Sequence, residues 1–192
     1  MAEAATIPIG ATTAWQGLFN HGGLQPGQWV LILGASGGVG IFAVQFARWK
    51  GAHVIGTTSA ANLDFVRALG AENVIDYTTT QVENVVHDVD LVLDTVGGEA
   101  LARVWPALKR GGSLVSVAGQ PDHVKAENLG ICATSFSAQV SSELLNTFAR
   151  LIDEGQINVF VGPQFPLREA SKAQELCRSG HGRGRIVLRI AE

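Results

Sequence analysis

The sequence predicts an α/β fold built on a doubly wound parallel sheet of six strands. Three features predict it. The run Trp29-Val30-Leu31-Ile32-Leu33 is an unbroken series of apolar β-formers, the signature of a strand buried on both faces. It passes through Gly34-Ala35-Ser36-Gly37-Gly38-Val39-Gly40 into a segment whose Val39, Phe42, Ala43 and Phe46 fall at helical spacing. Beyond it, short β-forming runs alternate with helical segments as far as residue 138, and strands that alternate with helices build a parallel sheet with right-handed crossovers.

Taken in order, Met1 to Gly10 is small and apolar, and Ala11 to Asn20 reads as a short helix stopped by His21-Gly22-Gly23. His21 fits a helix-end cap better than a catalytic role. Pro26-Gly27 turns the chain into the first strand. Gly51 ends the next helix, His53 to Thr58 is the second strand, and Asn62 to Leu69 is a helix stopped by Gly70. The third strand is Asn73 to Tyr77, followed by a short helix from Gln81 to His87 and the fourth strand, Val89 to Asp94. Glu99 to Lys109 reads as a helix bent at Pro106, and Gly111-Gly112 turns into a fifth strand from Ser113 to Ala118. Gly119 to Glu127 reads as a polar loop and Ile131 to Ala138 as the sixth strand. Ser141 to Asp153 is amphipathic, with Leu144, Leu145, Phe148 and Leu151 on one face and Ser141 or Ser142 as its cap. Asn158 to Val161 is a short strand broken by Pro163 and Pro166, Arg168 to Arg178 a helix, and Arg185 to Ile190 a last strand.

Strand, glycine turn and helix form the setting in which Ala35-x-Gly37-x-x-Gly40 becomes a dinucleotide fingerprint, with alanine at the usual first glycine. Gly37 would let the main chain reach a pyrophosphate, Gly40 would let helix and strand pack closely, and the free amides at the positive helix end would hold the phosphates. The alternative is a glycine-rich turn in some other α/β protein. No Gly-Lys-Ser/Thr follows the loop, which argues against a mononucleotide P-loop. At the end of the second strand an NAD enzyme places a carboxylate for the ribose 2′-hydroxyl. Here Thr57, Thr58 and Ser59 offer hydroxyls and no negative charge, which favours NADP(H) over NAD. No arginine or lysine follows at once; Asn62 stands where a base would help. No general acid or base stands out, so the catalytic residues stay unassigned. Asp94 reads as a turn or helix-capping group, Tyr77 ends a strand away from the switch point, and no Ser-His-Asp or metal-ligand spacing is present.

With 192 residues, 46% of them hydrophobic, and 23 glycines, the chain has enough material for a sizeable core with tight turns. A net charge of −3 points to neither nucleic acid nor an anionic membrane. Cys132 and Cys177 form no ligand pattern and read as buried or inert thiols. Without a membrane-length apolar run or a signal core, the sequence predicts a soluble cytoplasmic protein.

Several blocks together resemble the medium-chain dehydrogenase/reductase superfamily, most closely its zinc-independent quinone oxidoreductase-like branch. They are Gly10-Ala11-Thr12-Thr13-Ala14-Trp15, Gly27 to Gly40, Leu69 to Tyr77, Asp90 to Gly98, and Gly182-Arg183-Gly184-Arg185-Ile186-Val187-Leu188. The resemblance implies a Rossmann NAD(P)-binding fold and a nicotinamide cofactor, usually NADPH. It also implies two-electron reduction of a quinone or an enone. It places Ser36, Gly37, Gly38 and Val39 at the pyrophosphate and Thr57 and Ser59 at the adenosine ribose and its phosphate. Thr13, Val117, Ala118 and Gly119 fall near the nicotinamide. In zinc alcohol dehydrogenases a metal-binding cysteine precedes the matching threonine by four positions; here that position is Ile9, so no zinc is expected.

Family members carry another domain before this region, GroES-like, that forms most of the substrate pocket. Met1 followed by Ala2-Glu3-Ala4-Ala5 reads as a start placed inside a longer gene. The expected organisation is a dinucleotide-binding domain over residues 1–157 and a segment, 158–192, that returns to an absent catalytic domain. Hydride transfer needs donor and acceptor held together in a dry site, so this chain is expected to bind cofactor with little turnover. In this family the sixth strand often pairs with its copy, so Ile131 to Ala138 is expected to form a homodimer edge. Light scattering that shows only monomer at high concentration would count against it. The competing readings are an alcohol dehydrogenase or polyketide-type enoyl reductase domain, a non-catalytic nucleotide-binding module, and a methyltransferase. The last usually wants a carboxylate where Thr57-Thr58-Ser59 stands.

Overall fold

In the computed structural model, which describes residues 1–180 and 182–190, six parallel strands form one sheet in the order β3-β2-β1-β4-β5-β6. They are β1 Trp29–Leu33, β2 His53–Thr58, β3 Asn73–Asp76, β4 Val89–Asp94, β5 Leu108–Ser116 and β6 Cys132–Ser135. The order reverses between β1 and β4, which is the doubly wound arrangement the sequence predicts. The helices are α1 Ala2–Trp15, α2 Gly40–Lys50, α3 Leu63–Leu69, α4 Gly98–Arg103, α5 His123–Leu129, α6 Ser142–Asp153 and α7 Ala170–Arg178. Val161–Pro166 (β7) and Arg185–Arg189 (β8) pair in a separate two-stranded sheet. His181 lies outside the described residues. So do Ala191 and Glu192, the end of the segment predicted to return to another domain.

Alternation along the strands puts a core on each face of the sheet. Val30, Ile32, Leu91, Leu93 and Val115 face one cluster, which α1, α2 and α6 cover with Ala11, Ala14, Phe42, Phe46 and Phe148. Leu31, Leu33, Val92 and Leu114 face the other, closed by Leu101, Trp105 and Ala126. The first cluster is aromatic at its centre, with Trp15 edge-on to Phe46 at 5.3 Å and Phe46 against Phe148 at 5.4 Å. Ser141 caps α6, its Oγ accepting the Leu144 amide at 3.2 Å, as the sequence predicts.

Several elements differ from the sequence expectation, each for a physical reason. The first helix starts at Ala2 and continues through Pro8 into a π-helical turn, Gln16–His21. Burial of Thr6, Gly10, Ala11 and Ala14 outweighs the breaker signals of Pro8 and Gly10. The predicted helix Glu99 to Lys109 ends at Arg103, because Pro106 removes an amide donor and disfavours helix at Trp105. β5 begins at Leu108 rather than Ser113, with a register shift opposite Val89 and Leu91, so Val117 and Ala118 fall in the turn after the strand. The predicted loop from Gly119 to Glu127 contains α5, where Asp122 accepts the Lys125 amide at 3.0 Å; its single buried residue, Ala126, leaves almost no apolar pattern to read. Gln81 to His87 shortens to one 3₁₀ turn, Val82–Asn84. The strand predicted at Asn158 starts at Val161, because Gln45 holds both the amide and the carbonyl of Asn158, at 2.8 and 3.0 Å, against α2. Pro163 and Pro166 lie within β7, which pairs on one side only, where a missing amide is tolerated. Cys132 and Cys177 are free thiols, both exposed rather than buried.

Candidate functional site

The glycine turn lies at the carboxyl end of β1, over the point where the strand order reverses. Its shape depends on two glycines. Gly34 has φ +78°, and a Cβ there would lie 2.7 Å from Thr95 Oγ1. At Gly40 a Cβ would collide with the Gly34 carbonyl oxygen and lie 2.7 Å from Ala35 Cα, so only hydrogen lets α2 start this close to the strand end. Neighbouring strands pin the turn. Thr57 accepts the Gly34 amide on Oγ1 (3.2 Å) and the Ala35 amide on its carbonyl (2.9 Å), and Thr58 Oγ1 donates to Ser36 Oγ at 2.8 Å. Thr95 Oγ1 donates to the Leu33 carbonyl at 2.7 Å, joining the ends of β1 and β4.

α2 has no side-chain cap, and the amides of Ser36 and Val39 meet no acceptor among the described residues. Donors left open at a helix amino end suit an anion. Ser36 lines a hollow of about 370 Å³ together with Gly34, Gly37, Thr57, Thr58, Ser59 and Asn62 and with Tyr77, Gln81, Glu83, Thr95, Val96 and Arg103. Glu83 and Arg103 pair across its wall at 3.6 Å. Another hollow, of about 430 Å³, is lined by Gln45, Arg48, Trp49, Phe65 and Phe160 and touches no residue of the glycine turn.

The sequence-derived candidates separate into groups. Ser36, Gly37, Thr57 and Ser59 line the hollow together. Gly38 and Val39 belong to the same turn but do not line it. Thr57 is buried and already accepts the Gly34 amide, which leaves its hydroxyl hydrogen for a ligand; Ser59 is the more open of the two. Thr13 is buried on α1, one turn beyond Gly10, whose bare Cα lets the helix abut Gly38. Its neighbour Thr12 carries a buried hydroxyl with no partner among the described residues. Val117, Ala118 and Gly119 form a turn hung from Ser116, whose Oγ accepts the amides of Ala118 (3.3 Å) and Gly119 (3.0 Å).

Ser116 donates in turn to Asp94 Oδ2 at 2.6 Å, while Asp94 Oδ1 accepts the amides of Val96 and Gly97, both at 2.9 Å. Asp94 is fully buried and caps a turn, as the sequence predicts. Tyr77, read from the sequence as lying away from the switch point, lines the hollow with the glycine turn, and sequence reasoning missed Ser116, Arg103 and the stretch from Thr80 to Glu83. The available signal was position: these residues follow β3, end β5 or lie in the segment after β4, the side on which such sheets bind ligands. His21 stacks on Phe136 at 4.3 Å, away from this wall. Among the described residues no group of three or more His, Cys, Asp or Glu side chains is placed to hold a metal.

The family model described as zinc-binding dehydrogenase matches residues 69–188. A probable zinc-binding oxidoreductase, mitochondrial, from Arthroderma benhamiae is 34% identical over 98% of this chain and 62% of its own length. The NAD(P)H oxidoreductase RTN4IP1, mitochondrial, of Danio rerio is 32% identical over 99% of this chain and 57% of its own. The solved quinone oxidoreductase from Coxiella burnetii superposes with a TM-score of 0.87 at 34% identity, covering 98% of this chain and 60% of that one. The chain thus spans about 60% of the length of these relatives.

Proposed function

The chain belongs to the zinc-binding dehydrogenase family of the medium-chain dehydrogenase/reductase superfamily, and we propose that it is the dinucleotide-binding part of an NADPH-dependent oxidoreductase acting on a quinone or an enone. The observation that carries this reading is the glycine turn, with open amides ahead of α2 and with Ser36 and Gly37 lining a hollow whose β2 rim bears Thr57, Thr58 and Ser59 and no carboxylate. The family supplies the oxidoreductase class, and the absence of negative charge at the β2 rim supports the 2′-phosphorylated cofactor.

NADPH, when bound, supplies a hydride. The residues of this chain hold and orient it. The turn from Ser36 to Val39 would receive the pyrophosphate, with the Ser36 and Val39 amides open to it, Thr57 and Ser59 would meet the adenosine ribose, and the turn from Val117 to Gly119 would lie beside the nicotinamide half. The pair Asp94–Ser116 fixes that last turn relative to β4. The relatives extend beyond the part this chain matches. We assign the acceptor pocket to such a further part, toward which residues 158–192 would return, and expect the 192 residues alone to bind NADPH with little turnover. A calorimetric titration with NADPH and NADH side by side tests the reading. NADPH should bind at least tenfold tighter, ~1.4 kcal/mol. Equal or tighter NADH binding would remove the NADP assignment, and binding of neither would remove the cofactor assignment.

A further inference from the structure

A 2′-phosphate in the hollow needs a positive counter-charge, and the turn after β2 holds none, with Asn62 at the position where a base would serve. The fold brings one from 121 residues further along. Arg183 Nε donates to Asn62 Oδ1 at 3.2 Å, and its guanidinium carbon lies 4.3 Å from the centre of the Phe65 ring. Asn62 Nδ2 in turn reaches Ser59 Oγ at 3.5 Å. Ser59, Asn62 and Arg183 therefore form a continuous polar rim. Ser59 and Asn62 line the hollow, and so does Gly182, beside Arg183.

The backbone next to Arg183 is fixed against the phosphate turn itself. The Gly184 amide donates to the Ser36 carbonyl at 2.9 Å, and Gly184 forms a β-bridge with Gly37. Asn62 uses only Nε of the guanidinium. Among the described residues Arg183 has no ion-pair partner, so its two terminal nitrogens stay open. A planar guanidinium with two free amino groups matches phosphate oxygens, and stacking on Phe65 holds its plane.

We propose that Arg183 supplies the counter-charge for the adenosine 2′-phosphate, so that the loop before β8, rather than the turn after β2, determines NADP preference. Arg183 acts here as a binding and specificity residue and takes no part in hydride transfer. The proposal rests on the reading of the hollow as an NADPH site.

The test is calorimetric binding of NADPH, NADH, 2′,5′-ADP and 5′-AMP to the 192-residue chain, its Arg183→Gln variant and the double variant Arg183→Gln/Asn62→Lys. Arg183→Gln should weaken NADPH and 2′,5′-ADP by tenfold or more, with NADH and 5′-AMP within twofold of wild type. Lysine at position 62 should restore most of the loss, because it returns a cation to the same rim. Unchanged NADH binding also shows that the variant is folded. Retention of full NADPH preference by Arg183→Gln would overturn the role of Arg183 and leave the NADPH reading standing. Equal weakening of NADPH and NADH would overturn it too, by showing that Arg183 serves the shared part of the cofactor or the docking of the loop. Wild-type protein without NADPH preference would overturn the NADP reading and this proposal together.

Discussion

Replacement of Gly40 by alanine tests the claim that close contact between helix and strand shapes the phosphate turn. Two effects oppose each other. Alanine favours a helix by about 1 kcal/mol over glycine. The added Cβ, however, would collide with the Gly34 carbonyl oxygen and lie 2.7 Å from Ala35 Cα and 2.8 Å from Ala35 C. All of these are backbone atoms, so no rotamer change relieves the overlap and α2 must move off the turn. Overpacking of this kind costs about 1–3 kcal/mol, and a purely backbone clash belongs at the upper end. The net expectation is a loss of about 2 kcal/mol, which for a chain of this size lowers the melting temperature by about 4–8 °C. Urea unfolding followed by far-UV circular dichroism measures it, with Gly182→Ala as control, since a Cβ there meets nothing within 4 Å. The same shift moves the amides of Ser36 and Val39, so NADPH affinity should fall by more than tenfold. A Gly40→Ala protein as stable as wild type would refute the reasoning.

Asp94→Ala removes an acceptor from two amides and the Ser116 hydroxyl in a fully buried site. It should cost about 3 kcal/mol in urea unfolding. Asp94→Asn keeps one oxygen for the amides and should cost about 1 kcal/mol; equal losses for the two would contradict the capping role. Asp90 gives a pH signature. Burial pushes its carboxyl up, but the hydrogen bond from Lys109, the Trp29 amide at 2.8 Å and the Lys109 charge outweigh burial and hold it below the usual carboxylate range. A carboxyl lowered by folding contributes stability above its unfolded value, about 3.9, and loses it as pH falls through the lower folded value. The destabilisation caused by Asp90→Asn at pH 7 should therefore shrink as pH drops below about 4; a difference that stays constant down to pH 2 would contradict the assignment.

The sheet and its order were legible because each strand is a short apolar run closed by a glycine or polar turn, and because the turn after Leu33 carries its glycines at fixed spacing. The adenosine rim was half legible. Thr57, Thr58 and Ser59 could be read from the end of β2, but Arg183 could not. Its place beside Asn62 is set by the pairing of Gly184 with the glycine turn, a contact across some 150 residues that no local pattern encodes. Ser116 escaped notice for a related reason. A serine inside an apolar strand looks like a packing compromise until the strand register places it opposite Asp94. Pro163 and Pro166 misled because a proline's effect depends on which backbone groups have partners, and tertiary structure decides that.

The most direct test of the account is an amide chemical-shift map of the ¹⁵N-labelled chain titrated with NADPH. The account predicts that the largest changes fall on Ser36 to Gly40, on Ser59 and Asn62, and on Val117 to Gly119, with the Arg183 side chain shifting alongside them. Changes concentrated instead around Gln45, Trp49 and Phe160, or no saturable change anywhere, would contradict it.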